Sequence, residues 1–430
     1  MHGKLIFQIW NEVGIDFMLH LLLRIADSRL SPLSLSLTLF RGMVSLPAIK
    51  TLMLQASRLM KGAAVADRFE IAGVPCFILS RAPAPELAAA LKRQHRQSSA
   101  RRPSSTFLSK LSTISESQEV SPYKTCASTK RKFVGSGGRY RQRDVILHLT
   151  GGGFFAHTIA SDLPYLLDWS AATGAVVICP EYALLPDHTF PVALNQIANV
   201  YSALVDGDAA SQLGFETNRI VVTGESAGGN LAASLCVMLG MHILADAEEE
   251  PCDTNASGQM DADSWNGDSV DDIEEDSKDN EMRTTTKMPD AMMLSCAALN
   301  LSLELSYSRV IGTEDPVLPS GLIKCISDAY LPPQKGLSKQ DPLASPFFAP
   351  NEVLALFPPT LLFAGSKDPL LDDSVGFNKR LRDAGVRSEL RAAHNVPHAY
   401  WGLGTAGFPE AQQVQRECEE WLTCQIGLQS

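Results

Sequence analysis

The chain has 430 residues, 45% of them apolar and 20% charged, with a net charge of −11. This composition excludes a largely disordered chain, leaves ample length for a sizeable core, and its acidic balance argues against a nucleic-acid partner. Nine cysteines are scattered without a C-x-x-C pair or a His cluster at ligand spacing, which predicts unpaired thiols in a reducing compartment and implies neither a metal nor another cofactor.

In chain order, residues 1–68 carry apolar side chains at helical spacing, as in Ile15, Met18, Leu19, Leu22 and Leu23, with Pro32 and Pro47 dividing the stretch. The reading is a helical N-terminal cap over a larger domain of residues 69–430, with contact to a lipid surface as the alternative role for its amphipathic faces. Glu12, Asp16, His20 and Arg24 interrupt the first apolar run, so neither a membrane span nor a secretory signal is expected there. The expectation is a cytosolic protein, with peripheral association with lipid droplets or membranes if the cap engages lipid.

Two segments break the pattern. From Leu91 to Arg143 there are thirteen Lys and Arg against Glu116 and Glu119, the composition of a flexible basic insertion, placed at about 94–140. Within it Arg101, Arg102, Pro103, Ser104 and Ser105 read either as solvated linker or as a target for a kinase that prefers upstream basic residues. At about 245–288 some fifteen acidic residues with few apolar anchors read as a disordered insertion.

The remainder alternates strands and helices. Strands are predicted over 145–149, 175–179, 219–223, 291–297, 360–364 and 387–392, and helices over 162–173, 191–205, 227–239, 372–384 and 409–424. This alternation predicts an α/β fold, a mostly parallel central sheet covered by helices on both faces.

Chemistry concentrates at the ends of these strands. Strand 219–223 runs into Gly224, Glu225, Ser226, Ala227, Gly228 and Gly229 and then a helix. That is a G-x-S-x-G turn in strand-turn-helix context, which holds a serine hydroxyl exposed above a sheet. Upstream, strand 145–149 leads through Thr150 to Gly151, Gly152, Gly153 and Phe154. Such a loop can aim backbone amides at an oxyanion, and Gly152, Gly153 and Ala227 are the expected donors.

A serine nucleophile needs a base, and the base needs an acid to fix its tautomer. Asp368 follows strand 360–364 and is the expected acid, while Asp372 and Asp373, at a helix start, read as capping groups. His398 precedes the last helix and is the expected base, with His394 as a strand-end rival. His148, His157 and His188 precede Ser226 and do not suit the Ser, Asp, His order. Phe154, Phe155, Tyr400 and Trp401 are candidates for an apolar substrate pocket, with plain core packing as the alternative.

These residues together resemble the hormone-sensitive lipase family of α/β-hydrolases. The likeness runs from about residue 140 onward and rests on T-G-G-G-F-F at 150–155, P-E-Y-A-L-L-P-D at 180–187, G-E-S-A-G-G-N at 224–230, D-P-L-L-D-D-S-V at 368–375 and V-P-H-A-Y at 396–400. S-R-V-I-G-T-E-D-P-V-L-P at 308–319 and S-P-F-F-A-P at 345–350 are most similar to the mammalian-type members. The resemblance implies an α/β-hydrolase fold and a serine hydrolase acting on acylglycerols, cholesteryl esters or short soluble esters. Alternatives are a small-ester or arylacetamide-deacetylase-like carboxylesterase and a non-catalytic lipid-binding scaffold. Thr150 stands where the family usually has His, so the hydrogen bonds shaping the oxyanion loop must be made differently. Ala399 and Tyr400 replace the family's Gly-Phe after the base, which predicts a narrower acyl site.

Overall fold

A computed structural model describes residues 64–100, 140–249, 287–313, 315–406 and 408–426. The predicted N-terminal cap except its last five residues, Ser104 and Ser105, and most of the acidic insertion lie outside them. Eight strands form one sheet: β1 (Val65–Ile71), β2 (Val74–Ser80), β3 (Arg141–Leu149), β4 (Val176–Pro180), β5 (Phe215–Glu225), β6 (Ala291–Ser295), β7 (Thr360–Gly365) and β8 (Ser388–Ala393). Their order is β1-β2-β4-β3-β5-β6-β7-β8, antiparallel among β1, β2 and β4 and parallel from β4 onward.

The six predicted strands are all present. β3 and β5 start about four residues earlier than their apolar runs, because the leading residues Arg141 to Arg143 and Phe215 to Thr217 pair with each other. The β1–β2 hairpin was not anticipated. Its two-residue turn, Ala72 and Gly73, has φ of 50° and 78° and joins the paired residues Ile71 and Val74. Both positive angles mark a primed hairpin turn, and alanine at the first place hides the usual Asn-Gly or Asp-Gly signal. Residues 65–68, assigned from the sequence to the helical cap, therefore belong to the sheet, where they pair with 77–80.

The main helices are α1 (Pro85–Ala100), α2 (Ile159–Thr173), α3 (Val192–Val205), α4 (Ala227–Glu249), α5 (Tyr307–Ile311), α6 (Ser320–Tyr330), α7 (Leu371–Asp383) and α8 (Pro409–Ile426). α1 extends into the stretch read as flexible and basic, and α4 continues past 239 into the start of the acidic one. By length and composition Ala227–Ala247 is apolar enough to cross a membrane, but most of it is buried inside the molecule. The apolar character of this helix serves the core.

Strand side chains alternate between two cores, as the two-residue period requires. Val145, Leu147, Leu149 and Val222 face α3, α4 and α7 through Leu194, Ile197, Leu231, Leu235 and Phe377. Ile146, Val177, Val221 and Phe363 face α2 and α8 through Leu166, Trp169, Val414 and Leu422. Burial on both faces explains why these strands read as continuous apolar runs.

The tightest crossing lies where α4 begins. A Cβ on residue 228 would collide with the carbonyl oxygens of Leu149 and Thr150, and one on residue 224 with that of Gly228. Gly228→Ala is expected to lower the unfolding free energy by about 2–3 kcal/mol, seen as a lower urea midpoint at unchanged slope. A midpoint equal to the parent's would show that the crossing has slack.

Candidate active site

Ser226 occupies the turn between β5 and α4 with φ of 55°, a left-handed conformation that costs a non-glycine residue free energy and persists only when its surroundings enforce it. The enforcing contacts are main-chain. Its amide donates to the Ser295 carbonyl at the end of β6 (2.9 Å), and its carbonyl accepts from Asn230 (3.0 Å) and Ala298 (3.1 Å).

The structure brings the three predicted side chains into one hydrogen-bonded line. His398 Nε2 lies 2.9 Å from Ser226 Oγ, and His398 Nδ1 lies 3.0 Å from Asp368 Oδ1. With Nδ1–H donating to the carboxylate, the Nε2 lone pair faces the serine hydroxyl. All three are buried. Asp368 Oδ1 also accepts the Leu370 amide at 2.8 Å, which fixes the carboxylate against its own loop.

The rivals are engaged elsewhere. His394 is exposed just beyond β8. Asp372 accepts the Ser308 amide (2.8 Å), and Asp373 receives Arg309 Nη2 on both oxygens (3.0 and 2.8 Å). These two acids tie α5 to α7, in place of the helix capping expected from their position. His148 is buried against Thr223 Oγ1 (2.8 Å) and lies near Asp162 (3.5 Å).

A residue missed in the sequence is Asp315. Its Oδ2 accepts the backbone amide of His398 (2.9 Å), while Oδ1 accepts those of Val317 and Leu318 (2.8 Å each). The Asp-Pro-x-Leu stretch is a recognisable Asx-turn, but nothing local in the chain says that its second oxygen reaches residue 398.

Gly151, Gly152 and Gly153 follow β3 beside the turn. A Cβ on Gly151 would lie 3.6 Å from that of Ser226, and Gly152 and Gly153 have φ of 105° and 59°. Among the described residues, the amides of Gly152 and Gly153 donate to no main-chain acceptor, which leaves them available to a ligand oxygen. The problem posed by Thr150 has a structural answer. Its hydroxyl lies 3.3 Å from His157 Nδ1, and its carbonyl accepts the Tyr182 hydroxyl at 2.7 Å. His157 also packs edge-on against Tyr182, ring centres 4.8 Å apart.

The four aromatic candidates separate. Phe154 stacks on Tyr330 with centroids 3.8 Å apart, and Phe155 is buried in the same core, on the side of the sheet that carries α4. Tyr400 and Trp401 are buried in the opposite core, Trp401 meeting Trp169 edge-on at 5.2 Å. These two are packing residues. The side chain of Tyr400 therefore does not narrow the site as its position after the base suggested.

Electrostatics raise the proton affinity of His398. Burial by itself opposes the imidazolium, but the Asp368 carboxylate, through charge and hydrogen bond, with Asp315 and Glu225 behind it, raises its pKa above the ordinary histidine value. Glu225 is pushed up to about 8, by burial first and then by Asp162, against the opposing pull of His398 and the Trp401 amide. Cys296, Asp368 and His398 bring one donor atom each within 4.8 Å of one another. Two of those groups already bond to each other, and burial raises the thiol pKa well above its usual value, so the set suits proton transfer better than a cation.

A family model described as alpha/beta hydrolase fold matches residues 146–402, more than half of the chain. An esterase of Acinetobacter venetianus is 26% identical, covering 65% of this chain and 74% of its own length. Hormone-sensitive lipase of Bos taurus is 25% identical over 67% of this chain, which spans only 54% of that relative. The esterase of the archaeon Pyrobaculum calidifontis superposes with a TM-score of 0.58 at 17% identity, over 94% of this chain and 97% of that one, a likeness of fold alone.

By NMR, the His398 imidazole is expected to titrate above 6.5, and Asp315→Asn, which removes a facing negative charge, is expected to lower that midpoint. An unmoved midpoint would show that the carboxylate of residue 315 acts on the backbone only.

Proposed function

The chain belongs to the alpha/beta-hydrolase family, in its hormone-sensitive-lipase group, and is a carboxylesterase-type hydrolase; from that premise we propose that Ser226, His398 and Asp368 are the triad that cleaves the ester. The observation that carries this assignment is the buried hydrogen-bonded line from Oγ through the imidazole to the carboxylate, with the serine held at positive φ.

In the proposed reaction His398 Nε2 accepts the Ser226 proton as Oγ attacks the ester carbonyl carbon. The carbonyl oxygen becomes an oxyanion, held by the amides of Gly152, Gly153 and Ala227. The ester C–O bond then breaks, and His398 hands its proton to the departing alcohol, leaving the acyl group on Ser226. Water, deprotonated by the same imidazole, releases the acid and restores the serine. Asp368 keeps the tautomer correct and stabilises the transient imidazolium.

Esters with long acyl chains, of the acylglycerol or cholesteryl-ester kind, are the substrates we favour. What supports this is an apolar ridge beside the acid and the base. Leu305 and Tyr307 are 88% and 76% exposed, with Val310, Ile311 and Val317 also open. The segment that bears them is fastened to Pro369 through Ser308 (3.0 Å) and to His398 through Asp315. The competing substrate class is short soluble esters, in line with the burial of Ser226 and His398.

Ser226→Ala is expected to reduce hydrolysis of p-nitrophenyl butyrate by about a thousandfold or more; retention of the parent rate would refute the triad. Across acyl chains from acetyl to oleoyl, kcat/KM is expected to rise with length, more steeply at an interface. A maximum at acetyl or butyryl would assign the enzyme to short esters.

A further inference from the structure

The glycines expected to supply the oxyanion amides have little conformational preference of their own. Gly152 and Gly153 sit at φ of 105° and 59°, angles that glycine enters and leaves freely. The direction of their N–H groups is therefore set by what holds the two ends of the loop, and one segment holds both. At the entry the Thr150 carbonyl accepts the Tyr182 hydroxyl at 2.7 Å, and at the exit the Phe154 carbonyl accepts the Leu185 amide at 2.8 Å. Between them the Gly152 carbonyl accepts the Phe155 and Ala156 amides (3.1 and 3.0 Å), a turn that does not reach residue 150.

Tyr182 stands two residues beyond β4, and both its neighbours are tied down. The Glu181 amide donates to the Pro75 carbonyl of β2 (2.7 Å), and the Ala183 amide donates to Gln196 Oε1 of α3 (2.6 Å). The ring is buried, and burial raises the pKa of the hydroxyl above the ordinary tyrosine value, so it remains a donor. The Thr150 carbonyl that it meets also borders the start of α4, where a Cβ on residue 228 would come within 2.6 Å of it. In a planar trans peptide the carbonyl and the following N–H point opposite ways. A carbonyl held in this manner fixes the plane from which the glycine loop departs. The Thr150 side chain is engaged elsewhere, its hydroxyl facing His157 Nδ1 at 3.3 Å.

We propose that Tyr182 is a positioning residue for the oxyanion hole: by holding the Thr150 carbonyl, its hydroxyl aims the amides of Gly152 and Gly153 at the oxygen of the tetrahedral intermediate. The tyrosine touches no reacting atom and takes no part in the line from Ser226 through His398 to Asp368. This inference rests on the triad reading given above, and the two fail separately.

The experiment compares the full chain with Tyr182→Phe and Ser226→Ala, using p-nitrophenyl butyrate and an alkyl trifluoromethyl ketone carrying 13C at its carbonyl carbon. Ser226 Oγ adds to that carbon, its proton passes to His398, and the ketone oxygen becomes the anion of a hemiketal seated in the hole. Tyr182→Phe is expected to lose on the order of tenfold in kcat with KM changed by no more than about twofold. It should bind the ketone more weakly by a similar factor. The hemiketal pKa, read from the 13C shift, should rise, because misaimed amides stabilise the charged oxygen less. The acidic limb of kcat/KM against pH, which reports His398, should not move. Parent values of kcat and ketone affinity would overturn the role. So would a loss of kcat with the hemiketal pKa unmoved or the acidic limb displaced, since the tyrosine would then act through packing or the triad. If Ser226→Ala keeps the parent activity, the triad reading fails and this inference falls with it. If Ser226→Ala is inactive and Tyr182→Phe matches the parent, the positioning role alone is overturned. Should Tyr182→Phe not fold, 3-fluorotyrosine placed at position 182 of the parent decides. A 19F resonance that shifts when the hemiketal forms supports the coupling, and one indifferent to it contradicts it.

Discussion

The carbonyl oxygens of Leu149 and Thr150 fill the space that a side chain on residue 228 would need, and this close approach of the start of α4 to the end of β3 organises the end of the molecule that holds Ser226. Because the two segments touch backbone to backbone, the Ser226 turn and the Gly151–Gly153 loop stand side by side. The same crowding leaves Ser226 at φ 55°. A strained residue costs roughly 1–3 kcal/mol, which the packing of β5 and α4 into a core on either side offsets.

A second glycine contact brings in His398. A Cβ on Gly365, the last residue of β7, would come within 2.5 Å of the Val396 carbonyl oxygen and 2.7 Å of that of Pro397. The loop after β8 can therefore pass over the end of β7 and deliver His398 above Asp368. Parallel register does the rest, pairing Glu225 with Ser295 and Gly365 with Ala393, so that the loops carrying Ser226, Asp368 and His398 leave the same edge of the sheet. Asp368, Asp315 and Glu225 then surround one imidazole, and its raised proton affinity reflects several nearby carboxyls in a dry site.

How far the sequence revealed this depended on whether a feature was local. Ser226, Asp368 and His398 were legible because each sits in a short motif at the end of an apolar strand, and the family's chain order ranked the histidines. The six apolar strands were legible for the same reason. The β1–β2 hairpin was not, because alanine occupies a turn position that more often advertises itself with asparagine or aspartate. Asp315 was invisible for a different reason: its partner His398 lies 83 residues away, and no periodicity encodes such a pairing. Tyr400 and Trp401 misled because adjacency to the base in sequence says nothing about which face of the sheet a side chain enters. Thr150 marked a real departure, and its consequence, a hydroxyl to His157 and a carbonyl to Tyr182, could be read only from coordinates.

The most direct probe of an activated serine in this setting is covalent capture. Treated with an alkyl fluorophosphonate and digested for mass spectrometry, the folded protein is predicted to carry a single phosphonyl adduct on the peptide containing Ser226, with no adduct after His398→Ala. A folded protein that takes up no label, or takes it up on another serine, would contradict the account.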